Sequence, residues 1–392
     1  MLSLQLIEDN MKSKRHIVFI ALAAAILSFL LLWLCNYVWD SKYTFGAGDD
    51  SIIAASLGRR LFSSKEKAQG DYLAINTSYD RELVPVKDGF GIPIGRVDIA
   101  DREKLVTLLD SLNSYRNYKY IVCDILFDSS FQSDSDSSIF SLIASMPNIV
   151  IPKEAEGLPD SLEEKAATSG YKVFHHGDPF LKYQFLSDRG ESIPLKMWHD
   201  LTDNTIDVHW WGYSSGGRVC NNTAVLDFKN GVSDITVDAG PYNMVEKEIY
   251  HLGADIVDAG CPKKLFQDKI ILIGDFFERD MHDTATGQVP GIMILYKAYM
   301  ALEDGLNKVP WYCYLILFVI LFIYTLILIA GEGWRVKNGF FAFLLDSCSF
   351  TLPLEIFNFI TMSLGGFSVN AVLIGSLFGV ALSIKKYLTH EK

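Results

Sequence analysis

Hydrophobic and polar positions divide this chain into apolar runs at its two ends and a mixed, periodic middle. From Ile17 to Val38 the sequence IVFIALAAAILSFLLLWLCNYV carries no charge over 22 positions. At about 1.5 Å per helical residue, such a run crosses a ~30 Å hydrocarbon layer. Bulky Trp33, Leu34, Asn36 and Tyr37 follow the apolar core where a cleaved leader would place small residues, so the run reads as a retained anchor. A second uncharged run, 311–330, opens with Trp311, Tyr312 and Tyr314, aromatic residues suited to a membrane interface. Two further runs, 340–363 and 367–384, are separated by Gly365 and Gly366. The expected organisation is a tail 1–16, a transmembrane helix 17–38, a folded domain 39–310, a helix 311–330, a loop 331–339, helices 340–363 and 367–384, and a tail 385–392.

The basic residues orient these spans. Lys12, Lys14 and Arg15 precede the first, Arg335 and Lys337 lie between the second and third, and Lys385 and Lys386 follow the fourth. Four spans put all three clusters on the cytoplasmic side, whereas three would put the last pair outside. Both termini are therefore expected in the cytoplasm and residues 39–310 outside it, in a multi-pass protein of the cell (inner) membrane whose first partner is the lipid bilayer. The third span contains Asp346, Glu355 and Pro353, and an ionisable group at the bilayer centre costs at least ~2.5 kcal/mol. In a helix starting at Phe340 these carboxylates lie ~9 Å and ~22 Å deep, and nine residues at ~100° each turn them to opposite sides. They are not one proton relay. Partner docking is one role for them; interfacial placement or pairing within the bundle is the other.

The middle stretch alternates strand and helix patterns. Asp71 to Tyr79 reads as a strand, and Asp101 to Ser114 as a helix with Leu105, Leu108, Leu109 and Leu112 on one face. Lys119 to Phe127, KYIVCDILF, has the near-continuous apolarity of a strand buried on both sides. Further helices are expected over Ser133–Met146 and Leu162–Ser169, and further strands over Asn148–Ile151, Tyr171–His175 and Lys269–Gly274. Turn signals at Asp188-Arg189-Gly190 and Asn230-Gly231 mark a hairpin-rich middle, and Pro290-Gly291 opens a helix to Asp304 that leads almost directly into the second span. The fold class is an α/β domain, a largely parallel sheet with helices and a hairpin-rich middle, plus four transmembrane α-helices.

Charge narrows the function. The chain is −12 overall; because eight basic and six acidic residues lie outside 39–310, that domain itself carries roughly −14. Such a surface repels phosphate backbones, so no nucleic-acid partner is expected. Of the six cysteines, Cys123, Cys220 and Cys261 fall outside the cytoplasm. Cys123 sits in an apolar strand and reads as a small core hydrophobe, which leaves Cys220 and Cys261 as the natural pair for one disulfide.

Parallel sheets bind ligands beyond the carboxyl ends of their strands. Asp124 and Asp128 follow one strand; Asp275, Asp280, His282 and Asp283 follow another. Should these strands be neighbours, the cluster suits a cation or a small basic molecule. Turn-forming and helix-capping is the other use of Asp there. The run Val208–Tyr213, VHWWGY, reads as core or interface packing, with a pocket or partner surface as the alternative. No Gly-x-Ser-x-Gly, His-Glu-x-x-His or P-loop pattern occurs, so neither enzymatic activity, nor a cofactor, nor a bound metal is expected.

Three stretches carry a family resemblance: YLAINTSYD with IGRVDIADREKLVTLLDSL, YKYIVCDILFDSSF and NIVIP; then KIILIGDFFERDMHDTATG; then VPGIMILYKAYMALEDG. Together with one preceding helix and a following group, they resemble the extracytoplasmic sensor domains of the second CHASE class. That resemblance implies the sensing of extracellular signals for attached cyclases, histidine kinases or protein kinases. About eight residues follow Ile384, too few for a folded output domain. The leading expectation is thus a stand-alone sensory or ligand-recognition module that signals to a separate membrane or cytoplasmic partner. A structural subunit of an envelope complex is the second reading, and an extracytoplasmic hydrolase using Asp275, His282 and Asp283 the third.

Overall fold

The computed structural model describes residues 17–33, 72–154, 158–169, 180, 182–226, 249–277, 279–284, 287–308, 310–330, 350–361 and 372–390. After the apolar helix α1 (Ile17–Trp33) come β1 (Tyr72–Asn76), β2 (Arg81–Lys87), β3 (Pro93–Ala100), α2 (Arg102–Tyr115), β4 (Tyr120–Cys123), α3 (Asp136–Ser145), β5 (Ile149–Pro152) and β6 (Ala166–Ala167). The middle holds β7 (Lys182–Gln184), β8 (Leu186–Ser187), β9 (Gly190–Glu191), α4 (Ile193–Thr202), β10 (Asp207–His209), β11 (Gly212–Ser215), β12 (Arg218–Cys220) and β13 (Thr223–Val225). The chain then returns through β14 (Ile249–His251), β15 (Ile270–Gly274), β16 (Met281–Thr284), β17 (Gly287–Pro290) and α5 (Gly291–Glu303) to α6 (Trp311–Ala330), α7 (Phe350–Thr361) and α8 (Val372–His390).

The centre is a six-stranded sheet in the order β14-β1-β15-β4-β5-β6, with every pairing parallel. Side-chain alternation divides its core in two. Leu73, Ile75, Ile121, Cys123, Ile149, Ile151, Ile271 and Ile273 face α2 and α3. Ala74, Tyr120, Val122, Val150, Ile270 and Leu272 face α4, α5 and the hairpins. Helices on both faces explain why these strands are apolar throughout. Helix α2 begins where Asp101 accepts a hydrogen bond from the Lys104 amide at 3.0 Å, and it buries the expected leucine stripe. It ends at Arg116, a left-handed residue whose N–H bonds the Leu112 carbonyl.

Several expectations are corrected here. Residues 162–169 do not form an α-helix: a 3-10 segment, Asp160–Lys165, leads into edge strand β6, which pairs with β5. Only Leu162 of that segment is buried, so it lacks the apolar stripe that would hold a helix against the sheet. The Cys220–Cys261 disulfide is not formed: the two buried thiols are packed in the cores on opposite faces of the sheet. Hairpin β2–β3 lies between the expected strand ending at Tyr79 and the expected helix opening at Asp101, a stretch with no element expected from the sequence. Its signal is Asp88-Gly89, where the Asp88 carboxylate accepts from the Phe90 and Ile92 amides. The strand signal is masked by Pro85, which a two-stranded edge tolerates. The expected strand Tyr171–His175, the turn at Asn230-Gly231, the loop 331–339 and Asp346 lie outside the described residues.

Among the described residues, one helix, Trp311–Ile329, has the length and apolarity to cross a membrane, while α1 and α7 are shorter apolar helices. Leu32 of α1, Leu317, Leu321 and Tyr324 of α6, Phe350 and Leu354 of α7, and Ile374, Phe378 and Leu382 of α8 form one cluster. Thr325 donates to the Ala21 carbonyl and Tyr324 to the Phe350 carbonyl. Lys385 donates to the Leu328 and Ile329 carbonyls at the end of α6, a favourable place for a cation.

Candidate functional site

The strands carrying the predicted residues, β4 and β15, are neighbours paired from Ile270↔Tyr120 to Ile273↔Cys123. Asp124 leaves the carboxyl end of β4, its amide held by the Ile273 carbonyl at 2.8 Å. Gly274 ends β15 beside it, and a Cβ there would stand 3.1 Å from the Ile292 side chain and 3.5 Å from the Asp124 Cβ. The start of α5 is thereby packed against the sheet edge.

Asp280 joins the two. Its carbonyl accepts from the Gly291 amide at 2.7 Å, satisfying one of the N–H groups that a helix leaves free at its start. Its carboxylate lies over the same glycine so closely that a Cβ at Gly291 would fall 2.0 Å from Oδ2. A carboxylate is stabilised at a helix N-terminus by the peptide dipoles. His282 Nε2 pairs with Asp280 Oδ1 at 3.0 Å, and the ring packs edge-on against Phe180. Burial, then the nearby charges of Asp280 and Glu154, push the Asp124 carboxyl up to about 8. Glu154, just past β5, accepts from the Thr168 hydroxyl, the Ser169 amide and the Ser169 hydroxyl. Acidic charge from Asp280 and Glu154 thus acts on Asp124, whose carboxyl keeps its proton at neutral pH, and Asp280 sits on the first turn of α5.

The five predicted site residues do not converge. Asp280 bonds His282 and, through its charge, contributes to the raised pKa of Asp124. Asp275 belongs to a second network, accepting from the Ser78 hydroxyl at 2.6 Å and the Phe277 amide at 3.0 Å and lying 3.8 Å from the Arg81 guanidinium. Arg81 and Arg279 both pair with Asp98, whose pKa is lowered first by its bond to Arg279. Asp128 shapes a turn by accepting from the Ser130 amide and hydroxyl. Asp283 is exposed on hairpin β16–β17 and accepts from Gln288 across the register. Among the described residues no group of three or more His, Cys, Asp or Glu side chains could hold a metal ion.

Sequence pattern alone does not mark Glu154 as part of the site. It follows Pro152 and Lys153 with no periodicity of its own, so nothing local ties it to Asp124. Gly291 is legible as a helix start but not as a seat for a carboxylate, because that role depends on where the loop after β15 returns. Glu355, the intramembrane carboxylate expected in the third span, is half-buried in α7.

A family model described as the CHASE2 domain matches residues 92–330. No curated protein matches the chain, and no solved structure does.

Proposed function

The chain belongs to the CHASE2 domain family, and from that premise we propose that it is a membrane-anchored extracytoplasmic sensor that passes its signal through its transmembrane helices to a separate protein. Family membership supports the sensory role. The observation that carries the mechanism is the seat of Asp280 on Gly291, at the start of α5, because α5 is followed within a few residues by α6. Helix α5 spans 13 residues, or ~20 Å. It begins at the carboxyl edge of the sheet, so the Asp280–Gly291 contact and the apolar helix lie toward opposite ends of one rod.

The ligand class is a small organic cation such as a protonated amine. Entry of positive charge beside Asp280 and Glu154 favours loss of the Asp124 proton and draws Asp280 from the helix start, shifting α5 along or across the sheet. Asp275, His282 and Asp283 have no catalytic role in this reading, since their side chains are engaged in different contacts. The test is hydrogen exchange over 291–330 in the full chain reconstituted in nanodiscs, with putrescine and arginine as probes. Altered exchange in α5 that is lost in Asp124→Asn with Asp280→Asn supports the reading. Exchange that neither amine alters, in protein that remains folded, sinks it.

One observation favours a second reading, a scaffold within an envelope complex. Hairpin β2–β3 exposes Phe90 (91%), Ile94 (68%) and Leu83 (66%), a surface suited to a protein partner. Substituting Phe90 by Asp separates the two: the scaffold loses its partner, while the amine response of the sensor is unchanged.

A further inference from the structure

We propose that the turn between β10 and β11 is a membrane-interface contact, in which Trp210 inserts at the headgroup level of the bilayer that α6 enters. This rests on the anchored reading given above. Trp210 is 87% exposed, and its neighbour Val208 is 63% exposed. In the middle of an aqueous surface such a tip is unfavourable, whereas tryptophan is enriched where bilayer meets water.

The register places the turn beside the membrane entrance. Tyr213 pairs with Cys220 and His209 with Gly212. One more step along the ladder therefore puts the Trp210-Trp211 turn at the Asn221 end of the small sheet, with neighbouring strands ~4.8 Å apart. The Asn221 amide bonds the Asn307 carbonyl at 2.8 Å. Asn307 stands four residues before Trp311, a span of at most ~14 Å of chain. Trp311 (74% exposed) and Tyr312 (52% exposed) open α6 with the same interfacial chemistry.

The turn is also held in one orientation. The Trp211 ring stacks on His209 at 4.6 Å and 7°, His209 Nε2 bonds Ser214 Oγ at 2.8 Å, and Tyr213 and Cys220 are buried in the domain core. Trp211 thus supplies rigidity, and Trp210 is left to face outward. By contrast, Phe90 belongs to a hairpin that leaves the opposite, carboxyl edge of the sheet, so it provides a control remote from the bilayer.

The experiment uses the full chain in nanodiscs containing lipids spin-labelled on the headgroup. Bimane is attached at Trp210→Cys, at Phe90→Cys and at Trp311→Cys, with labelling of the unsubstituted chain as background. Loss of bimane emission at positions 210 and 311 but not at 90 is the expected result. Loss at 311 alone overturns the proposal and leaves the anchored reading standing; no loss at 311 overturns the anchored reading itself. Should Trp210→Cys not fold, Trp210→Ser is compared with the unsubstituted chain by intrinsic fluorescence. The portion of tryptophan emission quenched by the spin-labelled lipid falls if position 210 contacts the headgroups and stays constant if it does not.

Discussion

At the scale of single residues, the informative groups are ionisable ones taken out of water. Asp124 holds its proton to about 8 because burial and two neighbouring carboxylates disfavour its charge. Its folded-state value lies above the unfolded one, so the folded protein binds more protons between about pH 4 and about pH 8, and stability falls as pH rises through that window, by up to about 1.4 kcal/mol per unit. Asp124→Asn should flatten this slope, as read from thermal unfolding of the detergent-solubilised chain across the window. Arg102 and Asp136 form a different kind of buried pair, 3.3 Å apart at 1% and 6% side-chain exposure. Arg102 also donates to the Leu126 carbonyl and lies over the Phe127 ring at 4.4 Å. Burial is the leading cause of both pKa shifts, lowering Arg102 and raising Asp136. The pair therefore fixes the loop after β4 more than it stabilises the fold. Arg102→Met should cost about 3–5 kcal/mol by stranding Asp136, and adding Asp136→Leu should recover most of it. Chemical denaturation of the two variants checks both halves of that statement.

Among the elements, those specified by local pattern are legible in the sequence and those specified by long-range pairing are not. The leucines of α2 repeat at helical spacing, and β4 and β15 are apolar without interruption, so helix, strands and the parallel class follow from periodicity. Nothing local says that β15 lies between β1 and β4, yet that placement brings Asp124 within the influence of Asp280 in the loop after β15. For the same reason Asp275 and Asp283, close to His282 in sequence, take other partners. Cys220 and Cys261 are paired in the sequence only by elimination, which carries no information about which face of a sheet each occupies. Gly291 offers a test at this scale. Gly291→Ala places a methyl carbon where the Asp280 carboxylate lies, so Asp280 must swing away, although alanine itself favours the helix. The variant should keep a folded domain by circular dichroism and lose the amine-dependent exchange change in α5, and retention of that change would show that the seat of Asp280 is immaterial.

For the whole molecule, the charge pattern and the apolar runs give a topology that compartment-specific labelling can check. A cysteine introduced at Phe90 should react with an impermeant maleimide on intact spheroplasts, whereas one introduced at Lys337 should react only after the membrane is permeabilised. Reaction at Lys337 in intact cells would reverse the orientation and remove the domain from the signals it is proposed to read. In the helical cluster Tyr324 meets Phe378, and further along both helices the Lys385 ammonium reaches the Leu328 carbonyl, so α6 and α8 run in the same direction. The direction of α5 has a mechanical consequence. The strand β1 enters the sheet, and α5 leaves it, at the same edge, while β1 and β15 are joined over five aligned residues from Tyr72↔Ile270 to Asn76↔Gly274. A pull between those two ends would therefore load the β1–β15 hydrogen bonds one pair after another from that edge, and would reach the carboxyl ends of the strands, where Asp124 lies, last.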